Sequence, residues 1–174
     1  MKLLLTKRTR KPPLRARRRL LRICEMVLDE AMPNHNEGNT EKAELHIILI
    51  KDREMQTLNQ RYLGHDYPTD VLAFDLRQDG MPRSASGEWP TAGEIYVGLE
   101  TACEFASCHN SSVDYEVVLY IAHGMLHLAG EDDMDEASQK RMRAEEDKIM
   151  EKMGGYLAEK ELFGHEESPR RAKE

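Results

Sequence analysis

The stretch Ile121–Asp133, "IAHGMLHLAGEDD", holds two histidines four residues apart, a glycine three residues further on and three consecutive acids at its end. On an α-helix, positions i and i+4 share a face, so His123 and His127 project the same way and can reach one ion. A straight helix cannot add a third ligand at tetrahedral geometry, so the chain has to turn back. Gly130 stands where a left-handed residue ends a helix, and Asp133 follows where a returning chain meets the histidines. The pattern H-x-x-x-H-x-x-G-x-x-D has the spacing of the metzincin zinc signature, with aspartate as third ligand. A histidine pair alone is commonly a satisfied part of a core; the turn and the aspartate are what point to a metal. Two histidines and a carboxylate are an ordinary zinc set, and three protein ligands leave a fourth position open for water. The expected cofactor is one Zn²⁺ per chain on His123, His127 and Asp133.

Gly124 departs from the protease version of this motif. In H-E-x-x-H enzymes the residue after the first histidine is the general base for peptide hydrolysis. A glycine has no base to offer. Zinc still lowers the pKa of a bound water to about 7, and that nucleophile suits a substrate whose charge is handled otherwise. A phosphodiester is such a substrate, because a metal polarises a non-bridging oxygen and cations take up developing charge.

Outward from this motif, the chain alternates irregularly between strand and helix patterns. Leu3–Thr6, Glu44–Ile50, Val71–Leu76 and Gly93–Leu99 read as short strands rich in β-branched or aliphatic residues. A helix is expected to open at Pro12-Pro13, with Leu20, Leu21, Cys24, Val27, Leu28 and Ala31 on its core face. Further helices are expected over Arg53–Leu63 with Asp52 as cap, over Glu100–Cys108, and over Val113–Leu128 behind a capping box, Ser111-x-x-Asp114. A last helix is expected over Asp135–Met153, stopped by Gly154-Gly155. Residues 77–92 are rich in Gly, Pro and Ser and read as a loop carrying Trp89. The predicted architecture is α+β: a small mixed sheet covered by helices, with a metal cleft at the end of a core helix. One domain is expected over residues 1–155 and a charged, frayed tail over 156–174.

The 174 residues are 40% apolar and 33% charged, ordinary for a soluble globular protein. No apolar run is long enough to span a bilayer, and Leu3–Leu5 is too short for a secretory signal. Three cysteines, Cys24, Cys103 and Cys108, match no zinc or disulfide spacing and fit a reducing cytoplasm. The net charge of −7 is uneven: Met1–Cys24 carries ten Lys and Arg and no acid, leaving 15 basic residues against all 32 acids elsewhere, a balance of −17. Arg15, Arg18, Arg19 and Arg22 recur at helical spacing opposite the core face. Like charges on one helix face repel, so the stripe is a candidate for gripping an RNA backbone, with a solvated helix face as the plain alternative.

Three blocks in order give the chain a resemblance to the YbeY family of bacterial endoribonucleases and ribosomal RNA maturation factors. They are "YPTDVLAFDL", "GEIYVGLETA" and "HGMLHLAGEDD", and the resemblance extends over roughly Glu44 to Met153. It implies a zinc-dependent endoribonuclease specific for single strands. It further implies work on the 3′ end of small-subunit ribosomal RNA and in ribosome quality control. The implied partners are single-stranded RNA and the small ribosomal subunit, with neither membrane nor DNA. Three positions depart from the family pattern. Its third histidine ligand falls on Asp133, the tyrosine before Asp132 is Glu131, and an arginine ahead of P-T-D falls on Leu63, with Arg61 two residues earlier.

Beyond the metal ligands, Asp132, Glu94 and Arg61 are candidates for catalytic support. Thr69 and Asp70 read first as a turn cap near the cleft, and His65 and His109 as surface residues. Two other functions stay open: a metallopeptidase-like hydrolase, and a non-catalytic ribosome assembly factor with structural zinc. A fourth protein ligand would favour the latter.

Overall fold

The computed structural model describes residues 1–35, 43–77 and 91–164. Four strands, β1 (Lys2–Lys7), β2 (Glu44–Ile50), β3 (Val71–Asp75) and β4 (Thr91–Gly98), form a mixed sheet in the order β1-β2-β4-β3. The first three strands in that order run parallel, and β3 pairs antiparallel to β4 at the edge. Among the described residues five helices surround it: α1 (Arg17–Ala31), α2 (Asp52–Leu63), α3 (Leu99–His109), α4 (Val113–Ala129) and α5 (Glu136–Glu159). This is the predicted α+β architecture. Trp89 and most of the predicted 77–92 loop lie outside the described residues.

Side chains alternate across each strand, so the sheet has two distinct faces. Leu45, Ile47, Leu49, Ile95 and Val97 join the main core, which also takes in residues of α1, α4 and α5. Ile48, Ile50 and Leu72 form a smaller core with Met55 of α2, edged by Phe74 and Tyr96. Coverage on both sides explains why "HIILI" is an almost unbroken apolar run. α4 is the central helix. Eleven of its 17 residues are buried, which leaves little polar face outside the positions that carry the site.

Four local expectations are corrected. α1 begins at Arg17 rather than at Pro12-Pro13, because the preceding segment pairs elsewhere: Arg15 N donates to Leu162 O at 2.8 Å, and Leu14 bridges Phe163. The helix also buries Ile23, while Leu21 stays half-buried. Asp52 is inside α2, and its carboxylate receives the Thr101 amide and hydroxyl at 3.1 and 3.0 Å, tying α2 to α3. Ser112, not Ser111, caps α4 by accepting from Tyr115 N at 3.1 Å. Asp114 instead turns inward to accept from Leu162 N and Phe163 N at 2.6 and 3.0 Å.

The fourth correction concerns the C-terminus. α5 starts at a capping box between Asp135 and Ser138, then runs through Gly154-Gly155 to Glu159. A glycine costs a helix interior about 1 kcal/mol against alanine. Here the chain beyond the pair buries Leu162 and Phe163 in the main core and half-buries Leu157 against it. Complete burial of one such side chain is worth about 1.5–3 kcal/mol, enough to outweigh both glycines. Residues 156–164 are therefore part of the packed fold, not of a frayed tail; 165–174 lie outside the described residues.

Candidate metal centre

His123 and His127 occupy successive turns of α4, one side open to a cleft and the other set on the core. Their Nε2 atoms face each other at 2.9 Å, with the rings perpendicular. The other nitrogen of each ring is engaged. His123 Nδ1 lies 2.5 Å from Glu146 Oε1 on α5, and His127 Nδ1 lies 3.0 Å from the Glu131 carbonyl oxygen. A carboxylate and a carbonyl can only accept, so both Nδ1 atoms carry the proton and both Nε2 atoms present lone pairs. Two facing nitrogens at this separation share one cation, either a proton favoured by the raised His123 pKa or a bound metal ion.

The third group arrives as the spacing requires. Gly130 ends α4 at φ +98°, a left-handed conformation that a side chain resists. Its turn brings Asp133 back, so that one ligand atom from each of His123, His127 and Asp133 lies within 4.8 Å of the others. Among the described residues no fourth His, Cys, Asp or Glu joins this group. The donor set and the oriented imidazoles fit a divalent metal with an open position. Burial would pull the His123 pKa down, but the hydrogen-bonded Glu146 carboxylate, with the charges of Asp70 and Asp133, outweighs it and holds the pKa above the ordinary histidine value.

Gly124 has a packing reason for its missing side chain. A Cβ there would stand 2.8 Å from Ile95 Cγ2 and 3.1 Å from Val71 Cγ2. The residue after the first histidine thus faces the sheet, against Val71 of β3 and Ile95 of β4. A glutamate could not occupy it without separating helix from sheet.

Beside the histidines opens a cleft of about 650 Å³ lined by Asp70, Glu116, Tyr120, His123, Arg143 and Glu146, among others. Asp70 also caps the start of β3, where its Oδ1 accepts from Thr69 Oγ1 and Val71 N, both at 2.8 Å. The turn-cap function expected from sequence and a place in the cleft coincide. Burial and the nearby carboxylates of Glu116 and Asp70 push the Tyr120 phenol well up from its ordinary value.

The three supporting candidates do not enter the cleft. Glu94 points to the α2 face of the sheet and accepts from the Tyr96 hydroxyl at 2.9 Å. Arg61 is exposed on α2, 5.6 Å from the Tyr62 ring. Asp132 is exposed and accepts from Met134 N at 3.2 Å, shaping the turn. The carboxylate on His123 Nδ1 is instead that of Glu146, 23 residues away on α5. His65 and His109 are exposed, as expected, stacked on Tyr67 and Phe105.

The arginine stripe is divided. Arg15 precedes α1 and lies on Gly164. Arg19 donates to the Tyr156 carbonyl and pairs with Glu159 at 3.4 Å, joining α1 to α5. Arg18 and Arg22 are exposed and line, with Arg19, Tyr156 and Glu159, a separate groove of about 460 Å³.

A histidine pair on a core helix, a carboxylate returned by a glycine turn and an adjoining cleft define an α+β protein with a group that could hold a metal ion. The particular family follows from comparison with known proteins: residues 6–154 match the family described as Endoribonuclease YbeY, and the chain belongs to it. It is 40% identical over 111 residues to the endoribonuclease YbeY of Salinibacter ruber, covering 64% of this chain and 71% of that protein. It is 36% identical over 136 residues to that of Desulforamulus reducens, covering 78% and 87%. The solution structure of TM1509 from Thermotoga maritima superposes with a TM-score of 0.57 at 26% identity, over 90% of this chain and 92% of that one.

Proposed function

We propose that this protein is a metal-dependent endoribonuclease, with zinc as the metal, that cuts single-stranded RNA in the cytoplasm. Its substrate is the 3′ end of small-subunit ribosomal RNA, its partner the small ribosomal subunit, and its wider task ribosome quality control. The observation that carries this reading is the convergence of His123, His127 and Asp133 beside a cleft that His123 and Asp133 line, with both imidazoles hydrogen-bonded at Nδ1. A divalent ion held by these three groups would supply Lewis-acid stabilisation of charge on a phosphodiester. Glu146 and the Glu131 carbonyl keep each histidine in the tautomer that leaves Nε2 free. Arg143, in the cleft wall, is a cation for the phosphate. Exposed Arg18 and Arg22 hold the RNA backbone further away by charge, without reading sequence.

The packing at Gly124 supports this reading over a metallopeptidase, since the position of the peptidase base has no room for a side chain. The absence of a fourth ligand among the described residues favours it over a structural zinc in a pure assembly factor. The test is metal analysis of the purified protein beside an assay on single-stranded RNA, with and without chelator. About one zinc per chain and chelator-sensitive cleavage are expected. Undiminished cleavage by metal-free protein would overturn the proposal.

A further inference from the structure

The cleft holds two polar groups of opposite hydrogen-bond character that no described residue satisfies. Tyr120 lies on α4 one turn before His123, so the two share a side of the helix, and both line the cleft. The Tyr120 side chain is only 6% exposed, yet its hydroxyl makes no hydrogen bond with the described residues and is not among their fully enclosed polar atoms. Burial and the charges of Glu116 and Asp70 hold its proton in place, so it meets the cleft as a donor. Asp70 lines the cleft from the start of β3. Its Oδ1 is engaged by Thr69 and Val71, whereas Oδ2 has no partner among the described residues and is not enclosed either. Oδ2 is therefore an open acceptor. The Asp70 charge acts on both Tyr120 and His123, which places it near both.

An occupant has to answer both groups. A phosphate offers only acceptors and would meet the Asp70 charge. A cation suits the carboxylate and leaves the phenol proton without an acceptor. A hydroxyl both accepts and donates. So does the edge of a base, but the ribose is bonded directly to the phosphate that a metal on His123, His127 and Asp133 would hold. The ribose therefore comes nearest to a residue one turn from His123. Its 2′-hydroxyl is the group by which a protein tells RNA from DNA.

We propose that Tyr120 and Asp70 form a ribose-reading pair: the Tyr120 hydroxyl donates to the 2′-oxygen of a nucleotide beside the metal, and Asp70 Oδ2 accepts from the same 2′-hydroxyl. The pair determines specificity for RNA over DNA. The inference rests on the endoribonuclease function proposed above.

The test uses zinc-loaded protein and single-stranded oligonucleotides of one sequence, each with one ribose replaced by 2′-deoxyribose. They compete against one labelled RNA, so the readout is affinity rather than cutting. In wild type, replacement at one position near the mapped cut is expected to weaken competition about tenfold, the scale of one hydrogen bond to a charged group. Tyr120→Phe should remove that sensitivity, with the all-ribose competitor falling to the level of the deoxy one. Asp70→Asn, which keeps an oxygen for Thr69 and Val71, should do the same. Because the phenol bonds nothing among the described residues, Tyr120→Phe should leave the thermal midpoint unchanged. A lowered midpoint would show that the hydroxyl serves the fold and would overturn the proposal. So would a sensitive position that persists in both variants, or a dependence on the base instead of the 2′-hydroxyl that Tyr120→Phe abolishes. Cleavage of RNA with a flat competition series would overturn it and leave the endoribonuclease function standing. If wild type cuts nothing, displacement of the labelled RNA followed by fluorescence anisotropy decides. A 2′-hydroxyl effect lost in Tyr120→Phe keeps the ribose site and rejects the nuclease; a flat series rejects both.

Discussion

Two regions of this molecule were built in opposite ways. The candidate metal centre brings three side chains together from within eleven residues, His123 to Asp133, by helical periodicity and one left-handed glycine. The seam between the chain's two ends joins Leu14 to Phe163 and Asp114 to Leu162 across tens of residues or more. The first is local geometry and carries the proposed chemistry. The second is long-range packing and carries stability. The difference predicts that each region can be damaged without the other.

The largest effect is expected from His123→Ala combined with His127→Ala. Zinc content should fall to background and RNA cleavage should be abolished, while the thermal midpoint moves little because neither histidine is among the fully buried core residues. Metal retained at full occupancy would break the comparison at its stronger end. Asp114→Ala is the converse. It leaves two backbone N–H groups at Leu162 and Phe163 without their charged acceptor, and should lower stability by about 3 kcal/mol in urea denaturation. Zinc content of the folded protein should not change.

Glu146→Gln sharpens the comparison, because Glu146 reaches His123 from another helix, 23 residues along the chain. Weakening the support of His123 Nδ1 should reduce zinc affinity about 10–100-fold in competition with a chromophoric chelator. An unchanged affinity would mean that α4 orients His123 unaided. The smallest effect is expected at the arginine groove. Arg18→Gln with Arg22→Gln should weaken binding about equally for different RNA sequences, and reduce the log–log salt slope by roughly 0.7 per lost phosphate contact. Single-turnover cleavage at saturating protein should hold. An unmoved slope would make the two arginines a solvated surface.

How far each feature could be read in advance follows the same division. The four strands were legible, since each has an apolar pattern of its own, and so was the turn at Gly130. The start of α1 was not: Pro12-Pro13 looks like a helix opening, and only pairing of Arg15 with Leu162 pulls that segment out of the helix. Gly154-Gly155 looks like a helix stop, yet α5 continues because burial of Leu162 and Phe163 outweighs two unfavourable positions. Glu94 alternates correctly along β4 but falls on the α2 face, since a strand's own pattern does not say which face a distant helix will cover.

By itself the sequence determined what periodicity and backbone chemistry specify at short range: the strands, the histidine face of α4, the left-handed turn and the arrival of Asp133. Only the tertiary structure decided what stands behind and around that turn. Glu146 behind His123, Glu116 buried beside the cleft and Gly124 pressed on Ile95 all depend on how α4 and α5 dock on each other and on the sheet. Docking is set by the summed burial of many side chains, so no single stretch of the chain encodes it.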